Sequence, residues 1–139
     1  VEPSETQFAI DLLRLTGRCR GIDKYVSVTV GLSVDEMHCI SAVYADHPPS
    51  VTRLSELIAV STTRASKILK SLEQRTLVTR ELDPSDHRRE KVILTDSGMK
   101  IVERMISLCT EVGSELFGDH HRRLATDLSW LSQAGATTP

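Results

Sequence analysis

The sequence predicts a mainly α-helical fold with one small β-hairpin, and three observations predict it. Apolar residues recur at helical spacing along most of the 139 positions, and they are aliphatic, since aromatics are only 4% of the chain. Helix-opening signals precede these stripes at Ser33, Ser61 and Thr95. Strand-like runs occur in one place, on either side of the turn that begins DPSDHRRE. The length suits one domain, or a compact domain with extended arms.

Residues 5–30 read as a long helix with Phe8, Leu12, Leu15, Ile22, Val26 and Val30 on one face. Gly17 and Gly21 predict a break or kink within it, and Gly31 stops it. Ser33 and Glu36 form a capping box for a second helix with Met37, Ile40 and Val43/Tyr44 inward, closed by Pro48-Pro49. A short helix at 53–59 follows, with Leu54, Leu57 and Ile58 on one side. After the Ala59-Val60-Ser61 turn, Ser61 caps a helix running to about Arg75. Its inward stripe is Ala65, Ile68, Leu69 and Leu72.

Two short helices joined by a brief turn are a helix-turn-helix pattern. Leu77–Leu82 and Glu90–Leu94 then read as strands of a hairpin, with His87, Arg88 and Arg89 at its tip and Val92 and Leu94 anchoring its return strand. A long helix runs from Thr95 to about Phe117, carrying Ile101, Val102, Met105, Ile106, Cys109, Val112 and Leu116. A last helix near 119–133 offers Leu124, Leu128, Trp130 and Leu131, and the tail has nothing to bury.

Net charge is −2, which alone argues against a polyanionic partner. The distribution argues otherwise. Val51–Lys91 holds nine basic and six acidic side chains, whereas the remainder holds eight against thirteen. In a helix-turn-helix the second helix enters the major groove of DNA. Thr62, Thr63, Arg64, Ser66 and Lys67 supply the small hydroxyls and long cations that such a face needs, with Ser61 at its start. Arg53 and Lys70 suit phosphates better than bases. A hairpin that follows is a wing, and its cation can enter the adjacent minor groove. Asp86, two residues before Arg88, is expected to pair with that guanidinium and hold it in one orientation.

The run LSELIAVSTTRASKILKSLEQRTLVTRELDPSDHRREKVILTDSG, Leu54 to Gly98, resembles the MarR-type winged-helix regulators of bacteria. The resemblance rests on Thr63-Arg64, Leu72-Glu73, Leu77-Val78 with Arg80, the Asp83-Pro84 turn, Asp86 with Arg88, and Leu94-Thr95 with Gly98, in that order. It implies a homodimer whose two heads read an inverted-repeat DNA operator, usually as a repressor. It also implies release by a small aromatic or lipophilic effector lodged near the dimerisation helices. Two departures stand out: Thr76 where the family commonly has Gly after the reading helix, and His87 where the wing commonly carries Arg. On this reading 1–32 is an N-terminal dimerisation segment, 33–98 the winged helix-turn-helix, 99–133 the C-terminal dimerisation helices and 134–139 a flexible tail.

Other classes find less support. Cys19, Cys39 and Cys109 are too few and too scattered for a disulfide framework, which fits a reducing cytoplasm. Cys19, between Arg18 and Arg20, is the candidate for a redox switch in a regulator of the same fold, while Cys39 and Cys109 sit among apolar residues as expected of core packing. The five histidines lack metal-ligand spacing, no cofactor is expected, and no phosphate-cradling loop or nucleophile elbow suggests an enzyme. No apolar run approaches the ~20 residues of a membrane span. The chain opens on Val1, which leaves room for an upstream piece. The alternative from another class is a winged helix that meets an acidic protein instead of DNA.

Overall fold

The computed structural model describes residues 4–46 and 49–134, apart from the side chains of 121 and 130–134. In chain order the elements are α1 (Glu5–Val30), α2 (Val34–Ala45), α3 (Val51–Leu57), α4 (Thr62–Gln74), β1 (Val78–Asp83), β2 (Asp86–Leu94), α5 (Asp96–Phe117), a short 3-10 turn (Gly118–His120) and α6 (His121–Ala134). The expected mainly helical winged fold is present. Among the described residues no single helix is long and apolar enough to cross a membrane. Pro48, residues 135–139 and the side chains of Trp130 and Leu131, on which expectations fell, lie outside the described residues.

Helix α1 is one uninterrupted element, so the break expected at Gly17 and Gly21 does not occur. Each glycine costs about 1 kcal/mol relative to Ala in a helix, but neither is asked to accommodate a neighbour. The end of the helix is held instead. Val26 is buried, Ile22 and Val30 pack at the core edge, and Gly31 closes the helix at φ 72° with its N–H on the Ser27 and Val28 carbonyls.

Met37, Ile40 and Val43 of α2 face the core as expected. Tyr44 does not; it is exposed, because one step beyond Val43 turns about 100° round the helix. In the same way α3 buries Leu54 and leaves Leu57 exposed, while Ile58 at its C-cap is half-buried. The core joins these residues to Leu69 and Leu72 of α4, Val78 and Val92 of the hairpin, and Val102, Met105 and Leu108 of α5. Cys39 is part of it, but Cys109 is exposed. The inward stripe of α5 runs 102-105-108, and Cys109 falls beside that stripe rather than on it.

The hairpin starts and ends one residue later on β1 than expected, and β2 begins four residues earlier, at Asp86. The turn needs only Pro84 and Ser85, because Asp83 Oδ1 accepts from the Ser85 N–H at 2.9 Å and its hydroxyl at 2.6 Å. Val78↔Leu94 through Leu82↔Glu90 pair in strict antiparallel register, after which Asp83 pairs with Asp86. His87, Arg88 and Arg89 are therefore extra residues on β2, bulged from the flank of the hairpin instead of sitting at its tip. The base of the wing is fastened twice: Val92 is fully buried, and its N–H donates to the Pro49 carbonyl at 2.9 Å.

Thr76 ends α4 with φ 55°. The Thr76 N–H bonds the Glu73 carbonyl and the Leu77 N–H bonds the Leu72 carbonyl, both at 2.9 Å, which is the double closure that normally recruits glycine. Thr95 Oγ1 donates to the Thr76 carbonyl at 2.6 Å and accepts from the Gly98 N–H at 3.0 Å, capping α5. Gly98 is required there, since a Cβ would lie 2.0 Å from the Leu77 carbonyl oxygen. For Thr76 the left-handed penalty exceeds the extra chain entropy of glycine. Thr76→Gly should raise unfolding stability by roughly 0.5–1 kcal/mol, read as a higher urea midpoint at unchanged m.

Candidate functional site

Three pieces build the exposed surface: α3, the turn after it, and α4. Ser61 is committed to capping, its Oγ accepting from the Arg64 N–H at 3.2 Å. With Ala65, Ile68, Leu69 and Leu72 buried, the opposite side of α4 presents Thr62, Thr63, Arg64, Lys67 and Lys70 to solvent, with Ser66 half-buried at its margin. Among the described residues Lys67 and Lys70 stand in no ion pair.

Two of the expected cations are held by carboxylates instead. Arg64 Nε donates to Asp35 Oδ2 at 3.2 Å, and Arg64 Nη2 donates to the same oxygen. Arg53 pairs with Asp46 at 3.1 Å and Glu56 at 3.6 Å. Asp35 escaped the sequence reading because nothing local links residue 35 to residue 64, whereas Glu56 lies only three residues from Arg53.

The position of α4 is fixed through Glu36. Its Oε2 accepts from the Ser33 N–H at 2.8 Å, as the capping box requires. Across the helix pair, Ser71 Oγ donates to Glu36 Oε1 at 2.6 Å and Arg75 Nη1 donates to Oε2 at 3.5 Å. Burial by itself would raise the carboxyl pKa, but the Ser71 and Ser33 hydrogen bonds and the Arg75 charge outweigh it and hold it below the ordinary value. Consecutive acids of α2 thus grip α4 near both ends. On the hairpin side Arg80 joins Glu73 at 2.7 Å and Glu90 at 3.5 Å. The Arg80 hydrogen bond keeps the Glu73 carboxyl low.

In the wing the expected Asp86–Arg88 side-chain pair is absent. Asp86 Oδ1 accepts from the backbone N–H of Arg88 at 3.1 Å, while Oδ2 faces Arg89 Nε at 3.5 Å. A carboxylate two residues back reaches the following amide more easily than the end of that residue's own long side chain. The Arg88 guanidinium is left exposed and, among the described residues, without an ion-pair partner. His87 is exposed beside it. A cleft of about 530 Å³ runs between this flank and the start of α3, lined by Arg53, Glu56, Leu82 and Arg88 among others. The Asp83 carboxyl at the hairpin turn is drawn down to about 2 by hydrogen bonds from Ser85 and the nearby Lys91.

The thiols divide clearly. Burial, aided by Glu36, pushes Cys39 up to about 12, so it is inert. Partial desolvation and Asp23 raise Cys109. Cys19 is exposed on α1.

A helix-turn-helix with a two-stranded wing and an exposed cationic face defines a winged helix-turn-helix protein. The MarR family model matches residues 30–89, and the fold is that of solved winged-helix regulators. It is 36% identical over 72 residues to the transcriptional regulator HosA of Escherichia coli O111:H-, covering 50% of this chain and 53% of HosA. The chain spans about a third to a half of the length of the curated relatives it matches. Among solved structures it is similar to a mutant of S. aureus MepR bound to an oligodeoxyribonucleotide, with TM-score 0.66 and 18% identity over 96% of this chain and 99% of that one. It is also similar to Bordetella bronchiseptica BpsR, whose DNA binding is regulated by 6-hydroxynicotinic acid, with TM-score 0.71 and 19% identity over 100% of this chain and 99% of that one.

The depressed Glu36 value has a sign. A carboxyl whose pKa is lower in the folded state contributes stability above the unfolded value and loses it as pH falls through the folded one. Wild type should therefore lose stability on acidification below the ordinary carboxylate value near 4.5. Glu36→Gln should be less stable at pH 7 and show a shallower acid loss, measured by urea unfolding from pH 7 to 3.

Proposed function

We propose that the chain is a sequence-specific double-stranded DNA-binding transcription regulator, a repressor that acts as a homodimer on an inverted repeat. The observation that carries this reading is a set of exposed cations on adjacent elements, Lys67 and Lys70 on α4 and Arg88 on the wing, that stand in no ion pair among the described residues. The α4 face supplies base-edge and phosphate contacts in the major groove, and Arg88 enters the neighbouring minor groove. Thr62, Thr63, Arg64 and Ser66 approach the bases, while Arg53 would have to exchange its carboxylates for a phosphate. Asp86 orders the wing through the Arg88 backbone, leaving the guanidinium for DNA.

The dimer is supported by the N-terminal half of α1. Phe8 is 64% exposed and Leu13 72%, and Leu12 and Leu15 beside them are also uncovered. Together with exposed Ile106, Leu116 and Leu128 they form more apolar surface than a protomer of this size hides. A second copy covers it and spaces two heads about one turn of DNA, ~34 Å, apart. Release by a small aromatic or lipophilic effector between these helices and the head is the regulatory half of the proposal, by analogy with the reported behaviour of BpsR.

Arg88→Ala should weaken operator binding by about 1–3 kcal/mol while leaving thermal unfolding unchanged. Unchanged affinity refutes the wing assignment. Wild-type binding should fall by roughly a thousandfold or more from 50 to 200 mM salt, in a gel shift or anisotropy titration on DNA upstream of its coding region. Light scattering behind size-exclusion chromatography should give twice the protomer mass at micromolar concentration; a monomer refutes the dimer.

A further inference from the structure

We propose that Asp35 is a positioning residue for Arg64, and that together they make guanine the preferred base opposite the first turn of α4. The inference rests on the DNA-reading proposal above. It goes beyond it by naming one base and the residue that selects it.

A guanidinium has two kinds of donor edge. One side edge pairs Nε–H with an Nη–H; the end edge pairs one hydrogen from each Nη. Asp35 Oδ2 accepts from Nε and Nη2 of Arg64, so the carboxylate occupies the side edge. Among the described residues the end edge stays open. Two parallel donors at that edge match the O6 and N7 acceptors of guanine in the major groove, and no other base offers two acceptors there. A side chain 62% exposed, next to one 43% exposed, is also free to meet a duplex.

Asp35 is well placed to act as a brace because its own position is fixed. It lies in the first turn of α2, beside Glu36, whose two oxygens are tied to Ser33, Ser71 and Arg75. The backbone that carries the carboxylate is therefore held in place, and a short aspartate side chain on it cannot follow Arg64 far. An unbraced Arg64 could swing to any nearby phosphate and strengthen binding to all sequences alike. A braced one is already turned for a base edge and loses less rotamer freedom on contact. The negative charge also opposes phosphate approach at that point. An exposed ion pair is weak, within about a fivefold factor in an equilibrium constant, so the brace works through direction more than through strength.

The test uses full-length protein, an operator duplex selected from a random library, and a scrambled duplex of the same length. Anisotropy titrations at ~100 mM salt compare wild type, Asp35→Asn, Arg64→Ala and the double variant. In Asp35→Asn, operator affinity should fall or hold while scrambled-duplex affinity rises, up to about eightfold for one added phosphate contact. Each operator guanine is then replaced in turn by 7-deazaguanine, which lacks the N7 acceptor. One replacement should cost wild type about fivefold or more, cost Arg64→Ala nothing, and cost Asp35→Asn an intermediate amount. The double variant should match Arg64→Ala in its response to every guanine replacement.

A ratio of operator to scrambled affinity unchanged in Asp35→Asn, or equal gains on both duplexes, overturns the brace. The absence of any guanine whose replacement depends on Arg64 overturns the base assignment. Wild type that binds no duplex even at 50 mM salt overturns the DNA reading itself, a result distinct from both.

Discussion

The arrangement of this protein depends on a carboxylate that is almost out of water. Glu36 satisfies the start of its own helix through Ser33 and, with its remaining capacity, holds Ser71 and Arg75 of α4. A buried carboxylate is tolerable only when its oxygens are occupied, and these partners occupy both. The consequence is mechanical. Helix α4 cannot roll about its apolar stripe without uncovering a charge, so the side bearing Thr62, Thr63, Lys67 and Lys70 stays turned outward. Helix α2 begins two residues after the Gly31–Leu32 closure of α1, so the same carboxylate links the orientation of the exposed face to the long N-terminal helix.

The wing is built on the same economy. Its base is buried through Val92 and stitched to Pro49, and Arg80 ties it sideways to Glu73 of α4. Its outer part carries few apolar contacts, so order there comes from side chains bonding nearby backbone: Asp83 to Ser85 and Asp86 to Arg88. Of the three bulged residues, Arg89 is drawn back to Asp86 and Arg88 is not. The bulge thus separates a cation used to hold the wing from one left available, a distinction that the adjacency of the two arginines hides.

The two ends of α1 show how packing divides one helix into parts with different tasks. From Ile22 onward one face, Ile22, Val26 and Val30, joins the core; before that, its large apolar residues are exposed. The same is true on a smaller scale of α5, where Val102, Met105 and Leu108 are covered and Ile106 and Leu116 are not. A periodic stripe announces that a face is to be buried, but the stripe is the same whether the cover comes from the same chain or from another. That is why the helix boundaries were legible at these ends and the fate of Cys109, on the edge of the α5 stripe, was not.

What the sequence determined by itself is whatever closes within about five residues. The caps at Ser33, Ser61 and Thr95, the αL stop at Gly31, the strained Thr76 and the turn at Asp83 are set by short-range geometry, and the inward stripe of α4 follows from its period. The tertiary structure decided which charge meets which. Arg64 could have faced solvent, and Glu36 could have stopped at its capping box. The choices made span 29 residues for Asp35–Arg64 and 35 for Glu36–Ser71. Such pairings depend on where the buried helices bring their surfaces together, and local chemistry carries no record of that distance.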